Sequence, residues 1–322
     1  MRRDVRQTLF RLGPFVGLVV VIVFFAVASG APERYLSAHN LRVVLAQTVI
    51  VAVGAIGMTL VIVAGGIDLS VGSVIALTGV VCALALAGGW AAPFAVLAAV
   101  SLGGLVGLMN ALAVTRLRVV PFIATLGMLG IARGAAKWIA HETTVNAPTS
   151  WINELAVTVP PAPWMIFAPG VWVTLVLAIL MAFVLQRTVF GRRVFALGSN
   201  EAAARACGIA VERLKVAVYS AAGLFFGLAG VMQMSRLRQG DPTVAIGTEL
   251  DVIAAVVIGG GSLNGGEGSI LGSMIGALVM AFLRNGSQQM GWPTYVQEIL
   301  IGVIIVAAVA IDRWRHSQGG DE

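Results

Sequence analysis

The chain has 322 residues, 58% of them hydrophobic and only 11% charged, with a formal net charge of +6, a pI of about 10.1 and a mean hydropathy of +0.94. A soluble domain carries about 25% charged residues, so this chain cannot cover a water-facing surface and a water-soluble globular class is excluded. The basic balance does not point to nucleic acid either, because the cations fall in short loops between apolar runs, where orientation in a membrane accounts for them.

A basic head, Arg2, Arg3, Arg6 and Arg11, precedes an apolar run from about Leu12 to Ala28. The same pattern, with small residues from Ala26 to Ala31, also describes a secretory signal peptide. An uncleaved first span is preferred, because the rest of the chain is itself membrane. A span needs about 20 apolar residues, which places further spans at 43–64, 70–87, 93–114, 121–138, 165–185, 214–234, 250–260, 270–283 and 295–311. The sequence thus predicts an all-α polytopic bundle of about ten transmembrane helices in one transmembrane domain over 1–322. Spans one to six occupy 12–185, a polar loop 186–213, and spans seven to ten 214–311. The eighth and ninth are short and interrupted by glycine.

The loop at 186–213 is the most basic stretch between two spans, and with Lys215 it carries Arg187, Arg192, Arg193, Arg205 and Arg213. Short cytoplasmic loops carry the Lys/Arg excess, so it is placed inside. Ten spans then put both termini inside, with Arg313 and Arg315 matching the N-terminal cluster, and 14 of the 21 Lys and Arg fall on that side. Within the loop, Ser199 to Cys207 reads as one exposed helix: Ser199 or Asn200 can cap it, Glu201 sits at its positive end and Gly208 stops it.

On the other side, 141–164 is the longest segment. Trp151 to Leu155 reads as a short interfacial helix, Pro160, Pro161 and Pro163 stiffen the re-entry, and Trp164 lies at the headgroup level. A docking surface and a plain interfacial anchor both fit. Arg236, Arg238 and Asp241 form a second outer patch.

Few residues carry chemistry. Gly65-Gly66-Ile67-Asp68-Leu69-Ser70-Val71-Gly72-Ser73 breaks an apolar stretch. An ionised Asp on a lipid-facing helix costs about 2.5–3.5 kcal/mol, so Asp68 is expected at a helix break, inside the bundle or near water. There it caps the next helix, lines a polar path, or does both. Asn110 and Thr125, at membrane depth, read first as helix–helix hydrogen bonds. Asp68, Ser70, Asn110 and Thr125 are the candidate path residues. The break at 259–268 lacks the Lys-Ser/Thr of a phosphate loop, and the series Gly268, Gly272, Gly276 predicts close helix packing. Cys82 and Cys207 are expected as free thiols. No nucleophile, metal-ligand spacing or nucleotide motif appears, so no catalytic, metal or cofactor site is expected.

With these motifs on the page, the chain resembles the membrane permease subunits of bacterial ATP-binding-cassette importers for ribose, xylose, arabinose, galactose and related monosaccharides. The segment Gly65 to Ser73 looks like the family signature. Pro121-Phe122-Ile123-Ala124-Thr125-Leu126-Gly127, Phe190-Gly191-Arg192-Arg193, Gly198-Ser199-Asn200-Glu201-Ala202-Ala203-Ala204-Arg205 with Gly208-Ile209, and Leu250 to Gly260 are similar to family segments in the same order. Cys207 stands where the older importer motif has glycine, and Ala111 where the family often has one. The resemblance implies a cytoplasmic ATPase that supplies ATP and Mg chemistry, a periplasmic sugar-binding protein, and a second permease subunit, identical or related. It also implies that Ser199, Asn200, Glu201, Ala202, Ala203, Arg205 and Gly208 form the helix that seats on the ATPase, in a bacterial inner membrane. The rival class is an ion-coupled secondary transporter, which would need buried carboxylates. Only Asp68, Asp251 and Glu298 are available.

Overall fold

The computed structural model describes the backbone of residues 2–160, 162 and 165–317, with side chains apart from those of 2–12, 308 and 311–317. The cation clusters at Arg2, Arg3, Arg6 and Arg11 and at Arg313 and Arg315, and the re-entry at Pro161, Pro163 and Trp164, therefore lie outside the described side chains.

The chain is an all-α bundle. Its helices are α1 (Arg2–Ala28), α2 (Pro32–Tyr35), α3 (Ala38–Val63), α4 (Val71–Ala87), α5 (Ala92–Thr115), α6 (Pro121–Ile139), α7 (Pro169–Arg187), α8 (Val189–Ser199), α9 (Glu201–Ala206), α10 (Val211–Leu237), α11 (Thr248–Ile258), α12 (Ile270–Gln289) and α13 (Thr294–Ser317). Among the described residues, six of these (α3, α5, α6, α7, α10 and α12) are long and apolar enough to cross a membrane. Three shorter apolar helical stretches, Gly13–Ala28, Val71–Ala87 and Thr294–Ala307, accompany them.

The eighth span, α11, is as short as the sequence reading at 250–260 made it, whereas the ninth, expected to be short at 270–283, is the full-length α12. α11 has 11 residues, about 17 Å at 1.5 Å per residue, roughly half of a hydrocarbon core of about 30 Å. Non-helical chain at 239–247 precedes it and runs along α4: Gly240 packs on Val80 and Ala83, and Ala245 on Gly72. Irregular backbone at membrane depth survives only where protein satisfies its polar groups. Here Arg133 of α6 supplies that, donating through Nη1 to the carbonyls of Pro242 (2.8 Å) and Val244 (2.6 Å).

α3 is buried along nearly its whole length, with Val53, Ile56, Met58, Leu60 and Ile62 inside. α10 packs against α3, α4 and α5. By contrast α5, α6 and α7 turn Leu97, Leu105, Ile123, Ile131, Ile179 and Phe183 outward, the apolar surface a bilayer would cover. The series Gly272 and Gly276 does pack backbone to backbone, against Gly259 and Ala255 of α11.

At the end where α10 finishes, strand β1 (Val145–Asn146) pairs antiparallel with β2 (Gln239–Gly240). The expected interfacial helix is a single 3-10 turn, Trp151–Glu154. The amide of Ser150 donates to Asn153 Oδ1 at 2.7 Å. Ile152 is fully buried against Cys82, Ala95, Ala99, Val231 and Met234, which fastens this segment to the bundle.

Candidate functional site

Two places on the bundle hold the residues singled out by sequence, and they adjoin. The first is the break between α3 and α4. Gly65 takes a left-handed φ of +81°, and the chain then runs extended to Ser70. Asp68 is buried and its Oδ1 accepts from the amide (2.8 Å) and hydroxyl (2.6 Å) of Ser70. From α5, Asn110 Nδ2 donates to Asp68 Oδ2 at 3.1 Å and to Ser70 Oγ at 3.0 Å. From α6, Thr125 Oγ1 accepts from the Leu69 amide at 3.2 Å and can donate to the carbonyl of Ile67 at 3.2 Å.

The four candidate path residues are thus brought together, and all four are buried. Their visible work is to fix the broken segment to α5 and α6. Removing the carboxylate would strand three donors, at about 1–3 kcal/mol for each left buried and unpaired. Two atoms in the cluster's surroundings remain unpartnered, Asn110 Oδ1 and the hydroxyl of Tyr219. Tyr219, which packs on Gly66, was missed in the sequence because an apolar run hides a single tyrosine.

The second place is the hairpin α8–α9. The expected single helix from Ser199 to Cys207 is in fact the end of one helix and the whole of another. α8 buries Gly191, Val194 and Leu197 on one face and runs through Ser199, whose hydroxyl donates to the Phe195 carbonyl at 2.9 Å. The chain breaks at Asn200 (φ −162°), whose Oδ1 caps α9 by accepting from the Ala203 amide at 2.9 Å. Asn200 rather than Ser199 is the cap, since Ser199 is already committed to the preceding turn. Gly208, with φ +82°, ends α9 as expected.

α9 is exposed except for Ala204. Its charges are tied to the start of α10: Lys215 Nζ lies 2.7 Å from Glu201 Oε2, and Arg205 lies 2.6 Å from Glu212 Oε1 and 3.3 Å from Glu201 Oε1. The hydrogen bond from Lys215, aided by the charges of Lys215 and Arg205, holds the Glu201 carboxyl below its ordinary value. The hydrogen bond to Glu212 raises the Arg205 guanidinium. Both groups are therefore charged at neutral pH and the brace is intact. Ala202, Ala203 and Ala206 remain exposed beside it.

The two places meet through glycine. A Cβ on Gly198, at the end of α8, would strike the Val63 carbonyl and the Gly266 amide nitrogen; one on Gly266 would lie 2.9 Å from Ser199 Cα, and one on Gly265 2.7 Å from Gly65 Cα. The Gly266 amide donates to the Val63 carbonyl at 2.9 Å. The end of α8, immediately before the break that leads into α9, therefore abuts both helix breaks, α3–α4 and α11–α12, at backbone distance. Among the described residues no group of three or more His, Cys, Asp or Glu side chains is placed to hold a metal ion. Of the other carboxylates a secondary transporter could use, Asp251 is buried against Arg284 at 2.6 Å and Glu298 is exposed on α13.

Residues 40–309 match a family described as branched-chain amino acid transport system / permease component. The chain is 40% identical over 302 residues to the ribose import permease protein RbsC of Escherichia coli (strain K12), covering 92% of each chain. It is 33% identical to the L-arabinose ABC transporter permease protein AraH of Azospirillum brasilense, over 94% of this chain and 88% of that one. It is also 34% identical to the xylose transport system permease protein XylH of Escherichia coli (strain K12), over 92% and 89% respectively. No solved structure matches.

Proposed function

Given that this chain belongs to the branched-chain amino acid transport system permease-component family, we propose that it is the membrane subunit of an ATP-binding-cassette importer, passing a small sugar inward by alternating access. The sugar class follows the relatives named for ribose, L-arabinose and xylose. The chain itself is a transport subunit and not an enzyme; a partner ATPase hydrolyses ATP with Mg. The whole of 1–322 acts as one permease domain of ten spans in the inner membrane. α4 counts as a span, and so does α11 together with the chain at 239–247 that precedes it. Both termini and α9 face the cytoplasm, in keeping with the cation bias. The ATPase docks at α9, a periplasmic binding protein at the end carrying the 3-10 turn, and a second permease copy or relative alongside.

The observation that carries the mechanism is the glycine junction. A push on α9 cannot be absorbed by compressible side chains, because Gly198, Ser199, Gly65 and Gly266 meet as backbone. Packed contacts of this kind switch between discrete arrangements instead of deforming smoothly. Displacing the end of α8, joined to α9 at Asn200, therefore moves the start of α4, through Asp68, Ser70 and Asn110, and the end of α11 together. The ATPase supplies the drive through its differential affinity for the two arrangements. Secondary transport is set aside: Asp68 is saturated with donors and Asp251 is paired, so neither is a free ion carrier.

The test is transport by the purified chain in liposomes with its ATPase and binding protein. ATP-dependent uptake of ribose or xylose is expected with no ion gradient. Uptake that runs on a proton or sodium gradient without the ATPase would overturn the reading.

A further inference from the structure

On the half of the bundle away from the glycine junction, α3, α10, α11 and α12 enclose a cavity of about 210 Å³. Its polar lining comes from Arg236, Thr248, Asp251, Arg284 and the amides of Gln47, Gln233 and Gln288. A second cavity, of about 280 Å³ between α3, α7 and α12, is lined almost wholly by aliphatic side chains and offers a hydrophilic solute nothing. The polar one differs in kind.

At its wall Arg284 Nη2 lies 2.6 Å from Asp251 Oδ2. Asp251 is only 3% exposed, yet its Oδ1 has no partner, and neither has Arg284 Nε. A buried ion pair offsets its desolvation only when the remaining lone pairs and protons are also satisfied. Charged side chains at membrane depth mark solute pathways more often than packing. Here these two atoms, without a partner among the described residues, lie just behind a wall that carries three side-chain amides.

We infer that this cavity is where the chain itself holds its solute, a neutral molecule of monosaccharide size. The inference rests on the sugar-import reading above and adds the residues that touch the cargo. A hydroxyl both donates and accepts, so adjacent hydroxyls on one ring can accept from the guanidiniums of Arg236 and Arg284 and donate to the amide oxygens in the lining. The amides of Gln47, Gln233 and Gln288 each hold a donor and an acceptor. An anion would face the Asp251 carboxylate and a cation the two guanidiniums, so a neutral polyol suits the wall best. The cavity volume equals that of about seven waters in the liquid, which admits a single sugar ring.

The experiment uses the complete importer in proteoliposomes. Two variants probe the cavity from opposite directions. Ala281→Phe fills it from α12 without removing a polar group, and uptake of ribose and xylose is expected to fall at least about tenfold. Thr248→Cys, in a Cys82→Ala, Cys207→Ser background, places a thiol on the wall. Its labelling by a hydrophilic maleimide is expected to slow several-fold with ribose and not with a disaccharide too large for the space. Where Ala281→Phe fails to insert, the Thr248→Cys protection decides alone. Wild-type uptake by Ala281→Phe, or labelling of Thr248→Cys indifferent to ribose while the unaltered importer transports it, would overturn this site and leave the import reading intact. An unaltered importer that moves no sugar at all would overturn both.

Discussion

Gly198→Val is expected to cut sugar uptake by more than about tenfold while the subunit still reaches the membrane. The position is not in a turn and needs no unusual backbone angle; what it needs is the absence of a side chain. A Cβ there meets the Val63 carbonyl and the Gly266 amide nitrogen, which are hydrogen-bonded to each other and belong to the two helix breaks. Neither atom can rotate away. Forcing extra carbon into a packed site costs about 1–3 kcal/mol, and here the displacement falls on the junction the transport cycle has to move. A loss of more than about tenfold in uptake corresponds to about 1.4 kcal/mol, within that range. Gly130→Ala on α6 is the control, because a Cβ at Gly130 meets nothing within 4 Å. It should transport like the unaltered chain and gain about 1 kcal/mol or less of helix stability. Uptake by Gly198→Val within twofold of the unaltered chain would remove the junction from the mechanism.

The second large effect is expected from reversing the brace on α9. In Glu201→Arg with Arg205→Glu the pair across one helical turn survives, but its links to α10 invert. The new cation faces Lys215, which lay 2.7 Å from Glu201, and the new anion faces Glu212, which lay 2.6 Å from Arg205. Glu201, Arg205 and Glu212 are about half exposed and only Lys215 is more covered; ion pairs in such surroundings add little to stability, so the melting of the purified subunit should change little. The effect is expected in coupling: ATP hydrolysis by the assembled importer continues while uptake drops by an order of magnitude. Adding Glu212→Lys and Lys215→Glu restores both attractions and should restore much of the uptake. A reversed pair that imports sugar normally would count against α9 as the transmitting element.

Much of this was legible in the residues, and the boundary between what was and was not is physical. Apolar runs located the helices because a bilayer demands them. The glycines around Asp68 located the first break, and Gly208 the end of α9. Asn110 and Thr125 were readable as interhelical donors because a polar group in lipid must find a partner. The cap of α9 stayed open between Ser199 and Asn200 because both are good caps; only the continuation of α8, whose buried face is carried by Gly191, Val194 and Leu197, settles which one serves. The shortness of α11 was readable from the glycines at 259–261, but the length of α12 was not, since its last turns, Arg284 to Gln289, are polar and carry no apolar signal. Gly198 was invisible as a junction residue, because its neighbours Val63 and Gly266 are distant in sequence. Arg133 and Arg284 gave a usable signal that went unread: each is a cation inside an apolar run, and each proves to hold something, the re-entrant backbone in one case and Asp251 in the other.

The account stands on α9 lying inside the cell, where an ATPase can reach it. The chain carries its own reporter, for Cys207 is exposed at the end of α9 and Cys82 is buried. A membrane-impermeant maleimide should leave Cys207 untouched in intact cells, with its outer membrane made permeable to the reagent, and label it in inside-out vesicles, while Cys82 stays silent in both. Labelling of Cys207 from outside intact cells would put α9 on the wrong face and contradict the account.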